Sequence, residues 1–519
     1  MANMANSKRW LIAGAAMALG LIVSTSVHAQ SELSEPLYSQ ALADAEQLNP
    51  AAVPLLTELP AGTVEFGASG LEQPDPGVAV PGPQEELSPA AMQEIDRRMM
   101  SIQNDWAKFK ADASKVKYPN VIVNGFFQAD VGFFDQSLNN MRTLGAGNPA
   151  NGDIQDGADF RRFRISAKGA VIENVNYFAQ VDFGFFGRPT FTDVWLEITH
   201  VPVLGFIKVG QWKQPFGLET VTSVRYQTFM ERSSLFQTFE PFRHIGVGAY
   251  NYSESQMSTW AGSVFKTGQD QFGSDIGDNA GISFAARGTH LAWYEEGENS
   301  SLYYLHVGGA YWYGNPGNDK MRYATIPEFY IGSFGSSVGN PLGTSKVPIP
   351  DVANGTPPFV DTGIFNCNNF QHYGGELAWS HGPFFVQSEA MLAIVNPQDN
   401  LTQMHYKGAY AAVSYFLTGE SRPYDRKAGC LDRVKPLQDF RTDTGCGYGA
   451  WELCSRYSYI DLNDGNINGG RMTDWTAGVN WYLNSYTKFQ FNYIKSFLAN
   501  PTYGHSYANM LGLRAQIDW

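Results

Sequence analysis

Apolar and polar positions alternate along most of this chain, and the last nine residues, LGLRAQIDW (511–519), show the habit plainly. Leu511, Leu513, Ala515, Ile517 and Trp519 share one parity; Gly512, Arg514, Gln516 and Asp518 share the other. Successive side chains in a strand point to opposite faces, so period two predicts a strand with one oily and one polar side. The pattern starts at Tyr118. In DFRRFRISAKG (159–169), Arg162, Arg164, Ser166 and Lys168 oppose Phe163, Ile165 and Ala167. In FTDVWLEI (191–198), Asp193 and Glu197 alternate with Val194, Leu196 and Ile198. In VNYFAQVDFGF (175–185), Tyr177, Ala179, Val181, Phe183 and Phe185 oppose Gln180 and Asp182. Segments around Trp481 and Phe489 repeat it, and stretches rich in Gly, Asn and Asp, such as 335–363 and 461–471, are expected to be loops between strands.

Strands of this kind build either a soluble sandwich, with the oily face inside, or a membrane barrel, with the oily face toward lipid and the polar face inward. Two features favour the barrel. Aromatic pairs fall at strand ends (Phe126-Phe127, Phe133-Phe134, Phe185-Phe186, Trp481-Tyr482), where interfacial girdles place them. Full charges stand mid-strand on the polar faces, which suits a watery lumen. A sheet in lipid must close on itself, because no water satisfies its edges. Residues 121–519 allow about 16 strands at roughly 10 residues each plus connections. The expected fold class is therefore all-β: a transmembrane antiparallel barrel over 118–519. Composition agrees. Aromatic residues make up 14 % of the chain, glycines number 53, and charged residues are only 17 %, below the usual quarter. A net charge of -14 disfavours nucleic acid as a partner.

The N-terminal part reads differently. Lys8 and Arg9 precede an apolar run over 10–23 and then Val27-His28-Ala29, the plan of a signal peptide (1–29) cleaved after Ala29, with an uncleaved anchor as the alternative. Residues 30–87 are rich in Ala, Pro, Leu and Glu and read as an extended linker. Ser88-Pro89 is a helix start, and Met92, Ile95, Met99, Ile102, Trp106 and Phe109 follow at alternating spacings of three and four. The segment 88–117 is expected to be an amphipathic helix, either packed on the main domain or forming a short coiled coil between subunits.

Several motifs occur in order: DFRRFRISAKG (159–169), VGQWKQPFGLE (209–219), FMERS (229–233), YFLTGESRPY (415–424), WELCSRYS (451–458) and VNWYLN (479–484). Together they resemble the phosphate-selective porin O/P family over roughly 121–519. The resemblance implies an outer-membrane barrel of about sixteen strands, usually a homotrimer among outer-membrane lipids, passing small anions such as phosphate and chloride without any cofactor. The terminal aromatic Trp519 is similar to the assembly signal of such barrels, where Phe is more usual. An anion crossing a narrow pore must exchange its water for fixed donors, which Arg and Lys supply. The expected anion pathway comprises Arg162, Arg164, Lys168, Lys208, Arg456 and Arg514, on the lumen parity of their strands; for each, pairing with a neighbouring carboxylate is the alternative role. Residues 159–245 hold ten Lys/Arg against eight Asp/Glu, a slight basic excess.

Other chemistry has little support. GSSVG (335–339) matches Gly-x-Ser-x-Gly, but Ser337 lies in a Gly/Ser/Pro-rich stretch without the strand and helix that a nucleophile elbow needs. DLNDGN (461–466) has its glycine one place early for a calcium loop. The nine histidines show no i, i+4 pair, and no Cys-x-x-Cys occurs, so neither metal nor enzyme is expected. Cys430 and Cys446 could close a loop. A barrel tethered through its N-terminal helix to the cell wall or a partner is the alternative function.

Overall fold

The computed structural model describes residues 93, 97–101 and 118–519, apart from 185–188, 269–280, 333–354, 399–401 and 442–446. The expected signal peptide and linker, Ser337 and Cys446 lie outside the described residues. So does most of the expected helix over 88–117; the part described, 97–101, is helical.

Sixteen antiparallel strands close into a barrel. They are β1 Ile122–Gln136, β2 Gly157–Ile172, β3 Val175–Asp182, β4 Thr190–Val201, β5 Gly205–Lys213, β6 Arg243–Tyr252, β7 Ser258–Lys266 and β8 Ile282–Glu296. The second half comprises β9 Leu302–Gly314, β10 Phe365–His381, β11 Phe384–Pro397, β12 Met404–Phe416, β13 Ala450–Asp464, β14 Ile467–Tyr482, β15 Thr487–Asn500 and β16 Gly504–Asp518. Each strand pairs with the next. Strand β16 pairs back onto β1, with Ala129 opposite Ala515 and Asp130 opposite Arg514, so no edge is left unpaired. An even strand number brings both barrel termini to one end, called here the terminal end.

Burial follows the alternation. Along β12 every second residue is exposed, from His405 through Lys407, Ala409, Ala411 and Val413 to Tyr415, and those between are buried. Along β16, Arg514, Gln516 and Asp518 are buried inward while Leu511, Leu513, Ala515 and Ile517 are only half-covered on the outside, as the sequence pattern predicts. The wall is uneven in height. Strands β3 to β7 have 8, 12, 9, 10 and 9 residues, whereas every other strand has at least the 13 of β9 and β12.

Three local features depart from simple alternation. Strict period two places Arg161 on the lipid side; a bulge opposite Gln128/Ala129 leaves it as the extra residue and turns both Arg161 and Arg162 inward. A lipid-facing arginine at mid-membrane would cost about 2–4 kcal/mol, which is the physical reason for the bulge. The expected loop over 461–471 is instead the top of a long hairpin. Strands β13 and β14 continue to Asp464 and from Ile467, joined at Gly465, whose φ of +57° suits a two-residue turn. The interior is also not uniformly wet. Trp312, Phe370, Met391, Tyr406 and Tyr410 point inward from β9 to β12 and pack against Phe216, Leu235, Phe239 and Tyr323 of two connecting segments, forming an apolar core inside the barrel. Period two alone assigns these inward aromatics no partner.

Strand β5 contains Gly210 at φ +130°, where an added Cβ would lie 2.3 Å from the Val194 carbonyl oxygen. Gly210→Ala is therefore expected to destabilise the barrel by about 1–3 kcal/mol. Gly375→Ala, whose Cβ meets no atom within 4 Å, should change stability by no more than about 0.5 kcal/mol. Urea unfolding of the two variants in lipid vesicles checks the contrast.

Candidate functional site: a charged constriction inside the barrel

Most connections at the terminal end are short turns. The exception is 417–449, whose described parts fold into the lumen; from the far end come 214–242 and the described parts of 315–364. What holds these segments against the wall is paired charge. A buried ion left alone is costly, so each must find an opposite charge or a set of hydrogen bonds.

Glu231, in 214–242, is the centre of the largest group. Arg161 Nε donates to its Oε1 at 2.9 Å, Arg162 Nη2 to Oε2 at 3.1 Å, and Arg514 Nη2 to Oε1 at 2.6 Å. Arg514 also reaches Asp130 at 2.6 Å, and Arg161 lies over the Tyr330 ring at 4.2 Å. One loop carboxylate thus ties together β2, β16 and, through Asp130, β1. A second group centres on Arg456 of β13, which reaches Glu328 at 2.6 Å and Glu219 at 3.2 Å and donates to the Glu231 carbonyl at 3.1 Å. It joins both far-end segments to the wall. A third anchors 417–449. Arg422 pairs with Glu452 and its carbonyl accepts from Tyr304 at 3.1 Å; Tyr424 Oη meets His306 Nδ1 at 2.6 Å; Arg433 pairs with Asp518. The Leu431 N–H donates to Thr222 Oγ1 at 3.3 Å, so the segments from opposite ends touch.

The six residues expected along the pathway are placed as follows. Arg162, Arg456 and Arg514 are buried in the first two groups. Arg164 pairs with Asp182 at 2.6 Å. Lys208 pairs with Glu197 at 3.3 Å and lies over the Trp195 and Tyr250 rings at 4.2 and 4.9 Å. Lys168 is exposed near the terminal end, opposite Ile122, with no ion pair among the described residues. The structure brings Arg162 and Arg514 together on one carboxylate; it does not bring Arg164, Lys168 or Lys208 to them.

Two cations that sequence reasoning did not single out are held differently. Lys213 Nζ donates to the carbonyl oxygens of Thr220, Val221 and Thr222 at 2.6, 3.1 and 3.0 Å. Arg232 donates to the carbonyls of Glu219 and Thr222 at 2.6 and 2.8 Å. Both satisfy the free carbonyls at the end of the short helix Leu218–Val221. These contacts fix the side chains through neutral backbone acceptors. Both residues stand inside the quoted motifs 209–219 and 229–233, so the signal was present, but nothing in alternation reaches a loop residue.

A cavity of about 250 Å³ remains open against β5 to β8. Lys208, Lys213, Arg287 and Lys427 line it, together with Trp212 and Tyr250. Arg287 pairs with Glu376 at 2.6 Å and donates to the Gly429 carbonyl at 2.7 Å. Lys427, from 417–449, has no ion pair among the described residues; its Nζ lies 5.6 Å from the Tyr252 ring centre.

With this geometry in view, the comparisons with known proteins are specific. The model of the phosphate-selective porin O and P family matches residues 123–519. Porin O of Pseudomonas aeruginosa is 29 % identical over 366 residues, covering 67 % of this chain and 78 % of that protein. An uncharacterized protein of Caulobacter vibrioides is 25 % identical over 344 residues, covering 65 % of this chain and 62 % of that protein, so the chain spans less than two thirds of its length. Among solved structures, an anion-selective porin from Comamonas acidovorans superimposes with a TM-score of 0.45 at 9 % identity, over 77 % of this chain and 99 % of that one.

Burial by itself would raise the Glu231 carboxyl, but Arg161, Arg162 and Arg514 outweigh it and hold the group well below its usual 4.5. The stabilisation is thus full above the ordinary carboxylate range and is lost only as pH falls through the depressed value. Glu231→Gln is expected to cost about 3–5 kcal/mol, because three arginines lose their partner. The urea midpoint at neutral pH should fall accordingly, and the wild-type midpoint should keep this contribution down to the usual glutamate value.

Proposed function

Since the chain belongs to the phosphate-selective porin O and P family and is an outer-membrane porin, we propose that small anions, phosphate and chloride among them, cross it past the cavity against β5 to β8. The observation that carries this reading is the pair Lys213 and Lys427. Both line the cavity, and neither has an ion pair with a carboxylate among the described residues. Lys208 and Arg287 add donors whose charge is offset by Glu197 and Glu376.

Division of labour follows from the pairing. Arginines locked on carboxylates hold the inward segments and so set the width of the path. Lysines held only by neutral groups supply the attraction. A lysine is a compact point charge that exchanges water readily, whereas a bidentate arginine–carboxylate pair has little left to offer a passing ion. Several sites of moderate strength let an ion hop, while one very tight site would trap it. The short turns mark the terminal end as periplasmic and the far end as outward, the usual polarity of such barrels. A homotrimer fits the uneven wall. A strand of nine residues at about 3.3 Å per residue and roughly 40° tilt spans ~23 Å, less than the apolar band of ~25 Å. The side formed by β3 to β7 is thus suited to facing other subunits, and the taller side to facing lipid.

The test is a reversal potential in a planar bilayer under a KCl gradient, followed by phosphate titration. The wild type should be anion-selective, with chloride current blocked by phosphate. Replacing both Lys213 and Lys427 by Gln should move the potential toward zero and weaken the block by about tenfold, the scale of removing two charges from one cavity wall. A cation-selective wild type, or a double variant with unchanged potential, would sink this assignment.

A further inference from the structure

We infer that the cavity prefers anions that carry an aromatic ring beside a compact charged group over the bare inorganic ion. This rests on the reading of the cavity as the anion path and adds a substrate class to it.

Three observations carry it. The first is size. About 250 Å³ of open space exceeds what one tetrahedral oxyanion fills and approaches the lower end of pockets that hold organic ligands, about 300 Å³. The second is an unused ring. Trp212 lines the cavity, yet no described ring or cation stacks on it, and no described residue accepts from its indole N–H. Other large rings facing the lumen are engaged. Trp312 is fully buried in edge contacts with Phe370 and His372, with centroids at 4.8 and 4.6 Å, and Trp195 lies under Lys208. The Tyr250 ring is stacked on Phe206 with centroids 4.8 Å apart, and its hydroxyl donates to Glu197. Among the described rings that face the lumen, Trp212 presents both a free face and a free donor. The third is the wall beside it. At Gly248 an added Cβ would lie 3.1 Å from Trp212 Cζ2, so the missing side chain leaves room for the indole to lie along the wall.

Charge and ring are neighbours in sequence and line the same cavity: Lys213 follows Trp212. A compact anionic group bound by Lys427, with the Lys213 charge nearby but its three N–H donors committed to carbonyls, would leave an attached ring free to stack on the indole, an offset arrangement worth about 0.5–1.5 kcal/mol beyond area burial. Pro215 and Val221, also in the lining, add apolar surface. Inorganic phosphate has no ring to offer the indole.

Block of chloride current in a planar bilayer by phenyl phosphate and by methyl phosphate is the test, because the two share charge and differ in the ring. Phenyl phosphate should block at about fivefold lower concentration. Trp212→Leu should remove the difference, and Trp212→Phe, which keeps a ring, should retain most of it. Equal block by the two esters in the wild type would overturn the inference while leaving the anion path intact. A difference that survives Trp212→Leu would overturn it as well, since the ring would then be read elsewhere. Failure of either ester to block a cation-selective current would remove the anion path itself, and the inference with it.

Discussion

A charge enclosed by a barrel wall loses most of its water, and the resulting demand for a partner organises this lumen. Glu231 answers it for three arginines at once, at 2.6 to 3.1 Å. Take that carboxylate away and Arg514 keeps Asp130, while Arg161 and Arg162 lose the ion pair that joins them to the loop and are left close enough to repel. The loop 214–242 therefore cannot leave the wall without exposing several unpaired ions. The same logic repeats with Arg456 between Glu219 and Glu328, and with Arg422 on Glu452. Each pair removes one basic charge from the field felt by a passing solute and adds one fixed contact to the walls that confine it.

Selectivity is then a matter of what the pairing leaves over. The chain is acidic overall, at -14, which at first sight argues against an anion path. Total charge says little, because a paired carboxylate inside the wall and an exposed one on a loop act on different volumes. Lys213 and Arg232 show a second way of holding a cation in a crowded lumen. Their donors end on backbone carbonyls, which satisfy hydrogen bonds but carry only partial charge. The apolar core between β9–β12 and the inward segments packs one side of the barrel, and the cavity lined by Lys213 and Lys427 lies on the β5–β8 side.

Much of the fold was legible from alternation. The final strand, the inward parity of Arg162, Arg164, Arg456 and Arg514, and a barrel of about sixteen strands all follow from period two and the closure that lipid demands. Arg161 was not legible, because a bulge shifts parity by one residue and leaves no mark in the sequence. The hairpin at 461–471 was misread as a loop, because Asn, Asp and Gly suit a tight turn as well as a long one. Inward aromatics such as Trp312 and Tyr406 were illegible as core, since their partners lie on connecting segments far away in the chain.

The sequence by itself determined the wall: which segments are strands, which face of each meets lipid, and that the sheet must close. Those are local properties, fixed by side-chain parity and by the absence of water in the bilayer core. Only the tertiary structure decided which of the lumen cations remain charged toward a solute. That depends on whether Glu231, Glu219 or Glu328 arrives from another segment to pair with a given arginine, or whether backbone carbonyls take its hydrogen bonds instead. Ion pairing acts over a few ångströms between residues as far apart in the chain as Glu231 and Arg514, and no pattern along one strand records it.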